Sequence, residues 1–206
     1  TRGWMETSYS GELLSQGYGG GTANIEFEAL TGFSMEPFAA NITTPYTQFL
    51  SSQDDFPSVV SRLEEAGFRT TAIHPYNTTM YKRLENYETL GFDSFLYEDT
   101  MTNTEKLDTN PYISDAAAYA EITAILKASE EKDFIHLVTM QNHTPYQNKY
   151  TVTPSAAETG IGSQTIRNYL QDLQYSDQAL ADLLSRPSSC FGGIIGRAFS
   201  ERIFMR

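Results

Sequence analysis

Two hydrophobic periods alternate along this chain, one near 3.6 residues and one carried by short apolar runs. Thr22 to Leu30 reads as a first helix behind a glycine cluster. Phe56, Val59, Val60 and Leu63 recur at helical spacing and predict a second. Asp54 or Asp55 can cap it, Pro57 suits its first turn, and Gly67 ends it. "FRTTAIHP" is a β-branched run stopped by Pro75, which predicts a strand. "TMYKRLENYETLGF" predicts a short helix closed by Gly91. "SDAAAYAEITAILKA" predicts a helix capped by Ser114 or Asp115, and "KDFIHLVTM", residues 132–140, a buried strand. A long helix follows in "SQTIRNYLQDLQYSDQALADLLS", with Ile166, Tyr169, Leu170, Leu173, Leu180, Leu183 and Leu184 on one stripe. Strands separated by helices predict an α/β layer fold with a largely parallel sheet.

The grammar stops at Pro187. "PSSCFGGIIGRAFSERIFMR" has no obvious helical or strand period, and it holds the single cysteine, Cys190. One cysteine excludes an internal disulfide framework and a cysteine-rich zinc site. The 206 residues suit one domain or a large piece of one. A net charge of −12, with 14 Lys+Arg against 26 Asp+Glu, leaves no basic face, so nucleic acid is excluded as a partner. No run of 18 apolar residues occurs, so no span of a membrane is expected within these residues. The chain opens on "TRGWMETSYSGELL", with neither an initiator methionine nor a signal peptide, and reads as a fragment.

Three places carry candidate chemistry. In "GYGGGTANIEFEALTG", Gly17, Gly19, Gly20 and Gly21 free the backbone for close approach of a ligand. Thr22 then falls at a helix start, where unpaired N–H groups and the dipole favour an anion. A hydroxyl there is placed to attack phosphorus or sulfur. From spacing alone a plain N-cap threonine is the better account, and no P-loop lysine follows. In "TMQNHTPY", Asn142 and His143 come directly after a strand, where α/β sheets collect ligands. The imidazole could donate to a phosphate oxygen or protonate a leaving group. A loop histidine bonded to backbone explains it about equally well. In "HPYNTTMYKR", His74 ends a strand and Tyr81 and Arg83 follow. Arginine suits a phosphate through paired hydrogen bonds, although a surface arginine on a helix is the commoner case. His136, inside its strand, reads as structural.

Taken together, "GGGTANIEFEALTG", "HPYNTTMYKRLENYETLGFDSF" and "VTMQNHTPY" resemble, in that order, the extracellular catalytic domain of the lipoteichoic acid synthase and phosphoglycerol transferase family. That family is a branch of the sulfatase/alkaline phosphatase superfamily. The resemblance covers residues 8–186 and implies an alkaline-phosphatase/sulfatase-like α/β fold, incomplete at both ends. It assigns Thr22 as nucleophile and metal ligand. His143 of the NH motif becomes a substrate-binding residue, and Tyr81 and Arg83 take the place of the family's W-x-R pair, with Tyr in place of Trp; Asn142 and His74, at the same strand ends, are expected to bind substrate beside them. The implied metal is Mn2+ or Mg2+. The implied donor is a phosphatidylglycerol-like lipid, and the acceptor a glycan, a glycerol phosphate polymer or water. The intact protein is expected at the extracellular face of the bacterial cytoplasmic membrane, held by an N-terminal region absent from this sequence.

The resemblance also calls for an acidic metal ligand on an earlier strand and an Asp-His metal pair after the long helix. No Asp or His follows Asp182. Residues 1–186 are therefore expected to form a partial catalytic domain, and 187–206 an atypical tail. Shifted by one base, with permitted codons, residues 191–196 would read Trp-Gly-Asp-His-Trp, so a frameshift is the favoured account against a divergent C-terminus. The chain as it stands is expected to be inactive and a poor metal binder. A sulfatase-like hydrolase, or a non-catalytic fragment that binds anionic glycerol headgroups, are the alternatives. The Gly-Thr-Ala setting of Thr22 lacks the C/S-x-P-x-R pattern that would mark a sulfatase.

Overall fold

The computed structural model describes residues 21–151 and 153–185, and two short strands at 196–198 and 203–205. The elements are α1 (Thr22–Thr31), α2 (Pro45–Gln48), α3 (Val59–Glu65), β1 (Phe68–His74), α4 (Arg83–Thr89), β2 (Ser94–Tyr97), α5 (Asp115–Ala128), β3 (Lys132–Val138), α6 (Ala156–Thr159), α7 (Gln164–Leu184), β4 (Gly196–Ala198) and β5 (Ile203–Met205). The sheet runs β2-β1-β3-β5-β4. Strands β2, β1 and β3 are parallel, with Ile73 beside Leu137 and Leu96. Strand β5 pairs antiparallel with β3 and with β4.

Helices cover both faces of the parallel strands, which therefore bury consecutive residues rather than alternate ones. Ile73, Ile135 and Leu137 pack with Ala118, Tyr119 and Ile122 of α5 and Ala179, Leu180 and Leu183 of α7. Ala72 and Phe134 face the other way, against Ala23, Phe27 and Leu30 of α1, Tyr46 of α2, Val60 of α3 and Tyr87 of α4. This α/β arrangement, a parallel core flanked by helices, is the one the alternating pattern predicts.

Local details depart from the sequence reading. Helix α3 is capped by Ser58 rather than Asp54 or Asp55: its hydroxyl accepts from the Ser61 amide at 2.9 Å and closes a capping box. The same hydroxyl donates to the Leu90 carbonyl at 2.6 Å, a tertiary bond that an aspartate could not make. The 80–89 segment is not one helix. It starts as a 3-10 turn, Met80–Lys82, and changes direction where Tyr81 (φ 60°) and Lys82 (φ 52°) take left-handed backbone. Strand β2 was not expected, because four residues carry no readable period. The apolar stripe of α7 holds only in its second half. Ile166 is 49% and Tyr169 38% exposed, whereas Asn168, Asp172 and Ser176 are buried. Polar partners from distant segments reverse the face that hydrophobicity alone would bury. In the tail, the two short strands replace the expected absence of regular structure. Residues 187–195 lie outside the described residues, as do Gly17, Gly19 and Gly20.

Candidate active site

Helix α1 begins at Thr22, with Gly21 as its N-cap (φ −80°, ψ 50°). Thr22 is the first helical residue rather than the cap, which corrects the N-cap account that spacing alone suggested. It is 9% exposed. One turn further along the same face comes Glu26, whose carboxylate is fully buried. Glu26 accepts a hydrogen bond and ion pair from Arg83 Nη2, one from Tyr87 Oη at 2.8 Å and one from Tyr46 Oη at 3.4 Å. Burial opposes its ionisation, but Arg83, with help from His136, holds its carboxyl below the usual range. Burial likewise works against the Arg83 charge, and the Glu26 carboxylate overrides it.

Arg83 itself is 1% exposed, which removes the surface-helix account of it. Its Cζ lies 5.3 Å from the Tyr81 ring centre, and its Nη1 reaches only the Met80 carbonyl, at 3.5 Å. Its Nε has no hydrogen-bond partner among the described residues. The left-handed Tyr81–Lys82 backbone sets this geometry, tied by Asn86 Nδ2 donating to the Tyr81 carbonyl at 2.7 Å. Such backbone costs of order 1–3 kcal/mol per residue and persists where the surroundings impose it.

His74 closes β1 beside the end of β3. Its Nδ1 lies 2.9 Å from the Val138 carbonyl oxygen. A carbonyl can only accept, so Nδ1 carries the proton and Nε2 presents a lone pair. That Nε2 is buried and has no partner among the described residues. Burial, then the Arg83 charge, push the His74 pKa down to about 3, so the ring is neutral at physiological pH.

The β3 end holds a second group. His143 is exposed, its Nδ1 2.8 Å from the Thr144 carbonyl oxygen. That is the backbone-bonded loop histidine of the plainer account, and it leaves Nε2 for other work. Asn142 Nδ2 donates to Ser176 Oγ of α7 at 3.1 Å. Ring contacts run from His74 to Tyr76 (6.2 Å), Tyr76 to Tyr112 (5.8 Å) and Tyr112 to His143 (5.9 Å). Thr22, Tyr81 and Arg83 thus gather around Glu26, whereas Asn142 and His143 belong to a neighbouring cluster reached through Tyr76 and Tyr112. His136 is buried, with Nε2 4.0 Å from Glu26 Oε2 and its ring stacked on Phe92. Glu26 and Tyr112 escaped the sequence reading. Glu26 was detectable: a carboxylate on the face of Ala23, Phe27 and Leu30 needs a buried partner.

The described residues do not fit a dication site. Thr22 Oγ offers one oxygen, and the nearest carboxylate, Glu26, is already taken by Arg83 and two tyrosines. Among the described residues no three His, Cys, Asp or Glu side chains converge as metal ligands. What the arrangement supplies is a hydroxyl at a helix N-terminus, a buried cation and a buried imidazole lone pair.

Comparison with known proteins extends this picture. The sequence profile of the sulfatase family matches residues 5–186. A Rhizobium meliloti (strain 1021) protein named for cyclic beta-1,2-glucan modification is 32% identical over 178 residues, covering 84% of this chain and 27% of that protein. The lipoteichoic acid synthase LtaP of Listeria monocytogenes superposes with a TM-score of 0.69 at 19% identity, over 84% of this chain and 41% of that one. The Streptococcus pyogenes phosphoglycerol transferase GacH, solved with sn-glycerol-1-phosphate, gives 0.66 at 23% identity, over 93% and 56%. The chain spans less than a third of the length of the curated relatives it matches.

Proposed function

Because the chain belongs to the sulfatase family, we propose that it is the core of an enzyme that transfers a phosphoglycerol group from a phosphatidylglycerol-like lipid, with Thr22 as nucleophile. The observation that carries this reading is a pair of buried nitrogens, Arg83 Nε and His74 Nε2, that have no hydrogen-bond partner among the described residues. Leaving such groups unsatisfied costs about 1–3 kcal/mol each. A glycerol phosphate satisfies both kinds: a phosphate oxygen accepts from Arg83 Nε–H, and a glycerol hydroxyl donates to His74 Nε2. Solved relatives of the same fold include one bound to sn-glycerol-1-phosphate, which supports that ligand class.

The chemistry then follows from the residues. Thr22 Oγ attacks phosphorus; an Oγ–P bond forms, the bond from phosphorus to the diacylglycerol oxygen breaks, and the Thr22 proton passes to water. The diacylglycerol oxygen takes the Nε2 proton of a His143 imidazolium, whose Nδ1–H stays on the Thr144 carbonyl, and the neutral ring can then take the proton of the incoming acceptor. A hydroxyl of a glycan, a glycerol phosphate polymer or water next attacks the phosphothreonine and regenerates Thr22. Arg83 and the N–H groups of α1 balance the phosphoryl charge, and Glu26 keeps Arg83 in place. The family resemblance calls for Mn2+ or Mg2+, which would need donors beyond the described residues; no step is assigned to it. Activity is proposed at the outer face of the bacterial membrane, for the protein of which these residues are part.

The lack of a metal-ligand cluster among the described residues favours a second reading, in which this chain binds anionic glycerol headgroups without turning them over. Thr22→Ala separates the two. Under the transferase reading it abolishes release of diacylglycerol from phosphatidylglycerol and leaves glycerol phosphate binding and the fold in place. Near-normal release by the variant would sink the nucleophile assignment. Binding without release in the unaltered protein, with its metal donors restored, would leave the binding reading.

A further inference from the structure

Helix α7 buries Asn168, Asp172 and Ser176, one per turn on a single face. All three reach towards the segment that carries His143. Asp172 Oδ2 receives Lys149 Nζ at 2.8 Å, and both side chains are fully buried. Asp172 Oδ1 accepts from Tyr150 Oη at 2.5 Å and Asn110 Nδ2 at 3.3 Å. Lys149 also donates to the Gln141 carbonyl at 2.7 Å, and Gln141 Nε2 to the Asp172 carbonyl at 3.3 Å. Ser176 Oγ receives Asn142 Nδ2 and donates to Asp115. Beyond His143, Asn168 Nδ2 donates to the Tyr146 carbonyl.

Residues on either side of His143 are therefore pinned to one helix. The Lys149 ammonium also lies 5.3 Å from the Tyr112 ring centre and 5.1 Å from that of Tyr146. Tyr112 in turn flanks the His143 ring and donates through Oη to the Thr144 carbonyl at 2.6 Å. One ammonium thus serves the backbone before His143, the ring beside it and the helix beneath it. A buried ion pair is poor evidence of a gain in stability, since a well-packed apolar pair of the same volume does as well; its best-attested use is to fix a particular geometry.

We infer that the Lys149–Asp172 pair positions the 141–144 segment, and so sets where the His143 imidazole stands relative to bound glycerol phosphate without touching the ligand. The inference rests on the phosphoglycerol reading only for the identity of that ligand. Lys149 and Asp172 are positioning residues; Lys149 follows the 139–146 motif closely, and Asp172 reaches it from α7.

The chain has three histidines, so its imidazole 1H–15N spectrum contains few signals and His143 can be assigned by substitution. The test compares the unaltered chain with the double variant Lys149→Met/Asp172→Asn, which removes both charges and strands neither. The double variant is expected to retain its far-UV spectrum, to move the His143 signals and not those of His74 or His136, and to bind sn-glycerol 1-phosphate about tenfold more weakly. Lys149→Arg, which keeps the charge, should restore part of both. Ser176→Ala, a milder loss that removes the Asn142 Nδ2–Ser176 Oγ bond, should move the His143 signals in the same direction and covers the case of a double variant that does not fold. A folded double variant with His143 signals and affinity unchanged overturns the inference. If the unaltered chain fails to bind glycerol phosphate, the ligand assignment falls, while the His143 signals still report on positioning.

Discussion

Replacing Glu26 by Gln should be among the most costly single changes in the chain. The carboxylate is fully buried and is the ionic partner of Arg83, which is 1% exposed. Glutamine keeps the volume, and its amide oxygen, in the place of Oε2, can still accept from Tyr87 and Tyr46. Its NH2 group then faces the Arg83 donor in the place of Oε1, so the guanidinium is left charged and uncompensated. Removing one partner of a buried pair costs about 3–5 kcal/mol, a large share of the roughly 5–15 kcal/mol that holds a domain together. With a urea slope of about 2 kcal/mol per molar, the midpoint should fall by about 2 M. Urea titration followed by far-UV circular dichroism reads this directly. Adding Arg83→Met to Glu26→Gln removes the stranded charge and should recover most of the loss, because the penalty belongs to the unpaired ion rather than to the absent bond. If Glu26→Gln alone costs less than about 1 kcal/mol, or if the second substitution adds to the loss, then Glu26 does not hold Arg83 in the way described.

Two further outcomes follow from the same geometry. His74 is expected to make the fold acid-sensitive: its pKa is about 3 folded against 6.5 for the free side chain. Between these values the unfolded chain binds a proton that the folded chain refuses. The contribution is therefore complete above pH 6.5 and is lost as pH falls, by about 1.4 kcal/mol per pH unit. His74→Gln should flatten that part of the stability–pH curve by one proton, and an unchanged slope would mean that His74 is not buried neutral. Calorimetry with Mn2+ on the 206-residue chain should give no stoichiometric micromolar binding, since among the described residues Thr22 offers one oxygen and the Glu26 carboxylate is already held by Arg83; tight stoichiometric binding would show that the metal donors have been misplaced.

The legible parts of this structure are those whose cause is local. Strands β1 and β3 announce themselves through β-branched and apolar runs, and α5 through Ser114, which caps it as expected. Thr22 at a helix start and His74 at a strand end follow from where such residues stand in α/β units. What stayed hidden depends on partners far along the chain. Arg83 reads as any helical arginine until Glu26, 57 positions earlier, is seen beside it. Ser58 outcompetes Asp54 and Asp55 because Leu90 supplies an acceptor. The buried face of α7 was misassigned for the same reason: a hydrophobic stripe counts side chains on one helix and is blind to Lys149, Gln141 and Tyr146, which turn Asp172 and Asn168 inward.

The central claim is that the Thr22 hydroxyl takes the phosphoglycerol group. The most direct measurement places these residues in a longer chain that carries the metal donors the resemblance calls for, an acidic residue on an earlier strand and an Asp-His pair after α7. That protein is incubated with phosphatidylglycerol and Mn2+, quenched in acid and analysed by peptide mass spectrometry. The account predicts a glycerol phosphate adduct on Thr22, formed together with diacylglycerol and lost when a glycan or glycerol phosphate acceptor is added. Diacylglycerol release with the adduct on another residue, or undiminished release after Thr22→Ala, would contradict it.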